Sequence, residues 1–281
     1  MHRLLNAGEA DTAQYDSIVP ETILNKYWEY AKPELVLRGL AAYNIPASEI
    51  KGSDIDIPIQ TSATIDIHTV AEGAEILKEF QTVTSRNLRP VKYADAFYVT
   101  KEATEDCIFS VVDMNSKASA ERMARNEEYL IATLLGTYAG NTASGTTSVD
   151  IDNLREAKLD LTKNDFKPTD LILSPQLVND LEGIDTYMEA DKSGVNNPTN
   201  GLVGRIMGMK VWEGSTVINE SGKYTGYMID RNNAFVIGEK RPLKMETFEN
   251  PKYDRTEYYF SMRTAMAYLH TNAIAKIDIT P

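Results

Sequence analysis

Three histidines, one cysteine and a few glycines are where any chemistry in this chain would have to start. His2, His68 and His270 stand far apart, with none inside four residues of another, so no helical pair is available to grip a metal. Each reads as solvated or satisfied by hydrogen bonds. Cys107 is the single cysteine, which excludes a disulfide framework and a cysteine-based zinc site and suits a reducing compartment. Gly140 and Gly145 have the spacing of a phosphate-cradling loop, but Thr146 and Thr147 stand where Lys and Ser/Thr are required. Without the lysine there is no point charge for a phosphate, and 139–149 is predicted to be a flexible connector. Gly201, Gly204 and Gly208 do not form a dinucleotide fingerprint, and no G-x-S-x-G turn occurs. Glu72 and Glu75 are the carboxylates a metal-independent hydrolase would need, yet no nucleophile or base beside them has a recognisable partner. The chain is therefore read as non-enzymatic, with no cofactor and no metal.

Composition narrows the class further. Of 281 residues, 42% are hydrophobic and 25% charged, enough to bury a core in one large domain or two modest ones. No apolar run approaches the ~20 residues of a membrane span. Lys and Arg number 29 against 41 Asp and Glu, a net charge of −12, which argues against tight binding driven by nucleic-acid phosphates.

The elements that would position these residues follow from periodicity. Residues 1–19 are polar and unpatterned and read as an arm. Pro20 opens a helix whose stripe is Ile23, Leu24, Tyr27, Trp28 and Ala31, stopped by Pro33. From Asp54 the period changes to two: Ile55, Ile57 and Ile59, then Ile65 and Ile67, alternate with polar residues, and Pro58 marks an edge strand. The alternation breaks at 71–75, where Gly73 is predicted to form a bend, and resumes over Val91, Tyr93, Asp95, Phe97 and Val99. The ribbon 54–100 is too polar and too long to be buried and needs something to lie on. A long helix is predicted over 113–139, capped by Asp113. Then come a helix behind Asp150 (Ile151, Leu154, Ala157, Leu161), a buried strand Asp170–Leu173, and a helix capped by Ser174 with Pro175 at its first position. Residues 183–200 read as a long loop, and 205–218 as one or two strands. The remainder is β-rich: 227–229 and 234–237 about a turn at 230–233, then 243–247, 258–269 and 273–279. These last strands lack enough partners among themselves and must pair with earlier segments.

This order, with these local sequences, resembles the major capsid protein of tailed double-stranded DNA viruses, the Hong Kong 97-like fold, over roughly residues 15 to 279. Val70-Ala71-Glu72-Gly73-Ala74 looks like the V-A-E-G segment of the family's extended loop, about 25 residues before a strand like Ala96–Thr100. The 113–139 helix looks like the spine helix, and 170–177 like the axial domain's strand and capped helix. The stretch Gly204–Trp212 looks like the strand that follows, and 234–276 like the closing sheet.

The resemblance implies an α+β fold with these parts: an N-terminal arm (1–19), a helix-bearing lead into the peripheral domain (20–53), an extended loop (54–100), a peripheral domain with its spine helix (101–149), an axial α/β domain (150–224) and a peripheral β return (225–281). It implies a coat protein that self-assembles through pentamers and hexamers into an icosahedral shell around double-stranded DNA. Portal, scaffold and cement proteins are the implied partners, with no membrane, synthesis in the host cytoplasm and residence in the virion. Val70, Ala71, Glu72, Gly73 and Lys78 are the implied assembly residues. Some members crosslink through a loop lysine; that position falls near Ser85 here, and Lys78 lies seven residues earlier, so no self-crosslinking is expected. The long N-terminal scaffolding segment of the family is missing ahead of residue 1, which implies a separate scaffold or a removed leader. An encapsulin-type compartment, which holds enzymes instead of a genome, is the alternative; a hydrolase and a tail-tube protein are further ones. The acidic balance suits a lining that neither grips nor impedes DNA, and equally suits plain solubility.

Overall fold

The computed structural model describes residues 36–60, 69–70, 72–73, 83–106, 110–184, 202–217 and 222–280. The predicted arm, the helix after Pro20, Ile65 and Ile67, Cys107, and the 183–200 loop but for its first two residues lie outside them.

A single turn of 3-10 helix, Leu37–Leu40, leads into β1 (Tyr43–Ile45). Two short strands, β2 (Ile55–Gln60) and β3 (Val83–Leu88), pair antiparallel as a ribbon, with Ile55 opposite Leu88 and Ile57 opposite Arg86. The return strand is thus 83–88. The predicted return over 91–99 is instead a separate strand, β4 (Val91–Thr100), built into the body beside the C-terminal hairpin. Helices α1 (Lys101–Asp106) and α2 (Val111–Tyr138) follow. At 28 residues α2 is roughly 42 Å long. Its cap is Ser110, whose side chain accepts from the backbone NH of Asp113; the predicted cap, Asp113, sits inside the first turn.

The stretch expected to be a loose connector is a strand, β5 (Asn141–Thr146), lying parallel to the last strand. Its small residues mislead in isolation but allow a close approach. A Cβ at Gly145 would stand 2.7 Å from Ile279 Cδ1, and one at Gly140 2.8 Å from the Thr271 carbonyl oxygen. Helix α3 (Ile151–Lys163) starts at Asp150 in a reciprocal capping box with Asn153 and buries Leu154, Ala157 and Leu161. Strand β6 (Asp170–Leu173) is buried throughout, and α4 (Pro175–Glu182) follows Ser174, whose hydroxyl makes no capping bond. Strands β7 (Leu202–Ile206) and β8 (Met209–Glu213) meet at Met207-Gly208, both at positive φ, as a tight hairpin turn requires. The chain ends with β9 (Tyr224–Ile229), β10 (Phe235–Asn250), β11 (Arg255–Tyr268) and β12 (Ile274–Thr280).

Two larger sheets result. One has four strands in the order β1-β10-β11-β4; the other has six, β5-β12-β9-β6-β8-β7. The late strands do pair with early ones: β10 with β1, β11 with β4, β12 with β5. The sheets do not divide at residue 225, however. Strands β9 and β12 belong to the six-stranded sheet, and only β10 and β11 return to the four-stranded one. The turn at 230–233 is therefore a crossing between sheets. Asp230 holds it, its carboxylate accepting from Asn232 NH (3.1 Å), Lys167 NH (3.3 Å) and Asn233 Nδ2 (2.9 Å).

Helix α2 spans both bodies. Its first half packs Ala120, Met123 and Ala124 on Phe260, Met262 and Met245 of the four-stranded sheet. Its second half puts Ile131, Ala132 and Leu135 against Leu37, Leu40, Phe235 and Tyr227 at the junction of the sheets. Helices α3 and α4 cover the six-stranded sheet around Leu154, Leu161, Leu171 and Ile277.

Candidate assembly surface

Three features stand apart from the two sheet cores: an anchored entrance, a two-stranded ribbon and a half-covered sheet face.

The entrance is held by charge. Two neighbouring glutamates of α2, Glu127 and Glu128, are 3% and 2% exposed. Glu128 accepts the Leu37 NH at 2.9 Å and the Arg38 NH at 3.3 Å, satisfying the open start of the 3-10 turn. Arg38 reaches Glu127 at 3.1 Å and Glu239 at 2.9 Å. Burial pushes the Glu127 carboxyl above its usual range, Arg38 opposes this, and Glu239 adds to it.

The ribbon is amphipathic. Ile55, Ile57, Ile59 and Leu88 face the four-stranded sheet and pack with Val236, Ala265, Ala267 and Leu269. Asp56 and Asn87 pair on the outer side at 2.9 Å. The expectation that the ribbon is too polar to be buried is thus corrected for its base, which lies on its own subunit's sheet because alternate isoleucines give it one apolar side. Arg86 lies over the Tyr268 ring at 4.3 Å, and Tyr268 stacks on Tyr138 at the end of α2 with centroids 3.9 Å apart. Burial, with the Arg86 charge nearby, holds His270 below the usual histidine range.

The half-covered surface is the sheet face opposite α2. Register places Arg241, Arg263 and Lys92 abreast on β10, β11 and β4. Farther along stand Tyr98, Phe248 and Tyr259, at 58%, 57% and 43% exposure. Arg255 stacks on Tyr98 at 4.5 Å and pairs with Glu257 at 2.7 Å. The inner side of the same strands is ordinary core, with Asp95 tied to Ser119 of α2 at 2.6 Å and Arg122 at 2.9 Å.

Of the residues the sequence singles out for assembly, Val70 is 43% exposed and Gly73 takes φ +81°, a turn conformation beside Glu72. Ala71 and Lys78 lie outside the described residues. Ser85 pairs with Pro58 inside the ribbon. The cation row and the aromatic patch are not legible in the sequence, since Lys92, Arg241 and Arg263 become neighbours only through strand register. Among the described residues no group of three His, Cys, Asp or Glu could hold a metal, and no helix is long and apolar enough to cross a membrane.

A long helix under one sheet, a second α/β body and a two-stranded ribbon define the Hong Kong 97-like class of capsid subunits. The model of the phage capsid family matches residues 16–279, and the chain belongs to that family, as a major capsid protein whose copies form an icosahedral shell. This is a family of structural proteins, not of enzymes, and its members' place is the virion capsid. No curated protein matches the chain. Among solved structures it is similar to that titled Gordonia phage Cozz (14% identity, 88% of this chain and 87% of that one, TM-score 0.70). It is also similar to the capsid of cyanophage P-SCSP1u (13%, 85% and 87%, 0.67) and to the capsid of a native GTA particle (13%, 88% and 91%, 0.65). At these identities the likeness speaks for the fold.

Proposed function

We propose that this capsid protein encloses the double-stranded DNA of a tailed phage, its pentamers and hexamers closing on a portal, with a scaffold in assembly and a cement protein outside. The subunit is made in the host cytoplasm. In this reading the four-stranded sheet with α2 is the peripheral domain and the six-stranded sheet the axial one. The ribbon, turning near Val70, Ala71, Glu72 and Gly73 and carrying Lys78, lies over a neighbouring copy. The observation that carries this is the exposed aromatic patch of Tyr98, Phe248 and Tyr259 on the sheet face opposite α2: a monomer rarely leaves such a patch open. Interfaces of this obligate kind bury ~2,000–5,000 Å². Purified particles test it. Closed shells containing double-stranded DNA are expected from the native system; shells holding an enzyme and no DNA would favour an encapsulin compartment, and a dispersed single molecule would overturn the reading.

A further inference from the structure

A groove of about 1220 Å³ opens between the ribbon base and the six-stranded body. Its walls are the ribbon strands β2 and β3, the stretch 43–49 around β1, the end of α3 at 163–166, and the turns at 232–233 and 270–272. Clefts between two bodies of one chain are where small ligands most often sit. One side chain in this groove is left incomplete by the fold. Arg86 is half-buried, with one face on the Tyr268 ring at 4.3 Å, and Tyr268 in turn stacks on Tyr138, so the guanidinium is fixed in place. Among the described residues no carboxylate pairs with it, and its Nε is buried without a hydrogen-bond partner. Lys163, on the α3 wall, has no acid partner there either. His270 lines the same groove, tilted on Phe166 at 5.4 Å, and burial and the Arg86 charge both disfavour its proton. A guanidinium half removed from water, with donors to spare and nothing of opposite sign upon it, costs stability as it stands.

We propose that this groove is a binding site for a small phosphate-bearing molecule, whose tetrahedral oxyanion takes the spare donors of Arg86 and the charge of Lys163. Free phosphate and the phosphate of a mononucleotide or a hexose phosphate supply the same chemistry. Two features of the groove choose a small ligand. Glu49 and Asp165 stand on its β1 and α3 walls; they repel a run of backbone phosphates and leave room for a single one. Much of the remaining polar lining is amide, Asn44, Asn232 and Asn272 among it, which offers donors and acceptors to the hydroxyls or ring atoms of a molecule attached to that phosphate. Bound there, the anion ties the ribbon base to the end of α3 and so joins the two bodies. It also offsets the Arg86 charge felt by His270. The other charged groups around that ring are Asp230 in the crossing turn, Lys163 and Asp165 on α3, and Glu49 after β1. With the anion in place His270 takes up a proton more readily, so binding strengthens as pH falls.

Equilibrium dialysis of the full-length protein against radiolabelled sulfate tests the site, because sulfate keeps its double charge across the pH range in which histidine titrates. In a constant chloride background one saturable site per chain is expected, tighter at about pH 6 than at about pH 8. Arg86→Gln is expected to weaken binding roughly tenfold or more and Lys163→Gln about threefold, with far-UV circular dichroism unchanged. Arg86→Lys keeps a charge and loses the planar fork; it is expected to bind between native and Arg86→Gln, and it carries the test if the glutamine variant does not fold. Competition identifies the source. Equal displacement by inorganic phosphate, adenosine monophosphate and a hexose phosphate supports free phosphate as the ligand, and stronger displacement by one of the organic phosphates supports that class. The absence of a saturable site, or a site unchanged in both Arg86 variants, overturns the proposal. Displacement by a short DNA duplex but by none of the small phosphates would assign the groove to nucleic acid and overturn it equally.

Discussion

Leu88 of the ribbon lies directly over Gly238 of β10, so closely that a Cβ at position 238 would overlap the Leu88 Cδ2 atom. Leu88 is fully buried there, and this one contact fixes where the ribbon leaves the sheet. Replacing Leu88 by Ala is expected to cost about 2–5 kcal/mol, and Gly238→Val about 1–3 kcal/mol through overpacking. Hydrogen exchange checks the location: protection should fall across 55–60 and 83–88 and stay unchanged across 274–280. Equal loss in both sheets would count against a local anchor.

Arg38→Met leaves Glu127 buried without its cation and is expected to cost about 3–5 kcal/mol. The pH dependence has a definite sign. The Glu127 carboxyl lies above its usual range in the folded state, so folding binds that proton and this group favours the fold as pH falls, losing that contribution as pH rises through the raised value. Removing Arg38 takes away the charge that opposes the shift. Urea midpoints of native and variant should therefore differ most near neutral pH and converge on mild acidification.

Gly145→Val would set its first side-chain carbon 2.7 Å from Ile279 Cδ1 and 2.9 Å from Asn153 Oδ1. Strand β5 should be pushed from β12 at a cost of about 1–3 kcal/mol. A thermal melt with no shift would show that the edge strand gives way freely.

Asp170, buried in β6, accepts from Trp212 Nε1 at 2.7 Å and from Thr169 Oγ1 at 2.7 Å. Asp170→Ala strands the Trp212 indole NH, while Thr169 Oγ1 keeps the Ile229 carbonyl at 3.4 Å, and is expected to cost about 1–3 kcal/mol. With Trp28, the other tryptophan, changed to Phe, the emission maximum of Trp212 should move; an unmoved maximum would mean that water replaces the carboxylate.

Local pattern was enough wherever an element's own residues decide it. The period-two isoleucines at 55, 57 and 59, the Asp150 cap with its Leu154–Leu161 stripe, and the four apolar or buried residues 170–173 each specify a structure over a few neighbours. Glycine-rich 139–149 was illegible for the opposite reason: β5 is a strand because β12 offers it a hydrogen-bonding edge, and its own residues carry only Ala143 into the core. The ribbon's return at 83–88 was hidden likewise, since its polar composition resembles a loop until it meets β2.

The sequence by itself determined the long helix, the capped α3 and α4, the period-two start of the ribbon and a resemblance to one family, because these depend on spacing and residue type along the chain. Only the tertiary structure decided which strands share a sheet, that β9 and β12 leave β10 and β11 for the other body, and that Arg241, Arg263 and Lys92 stand abreast. Strand pairing joins positions far apart in the chain, Tyr43 to Val236 and Arg263 to Lys92 among them, and no local preference encodes a register set by the whole fold.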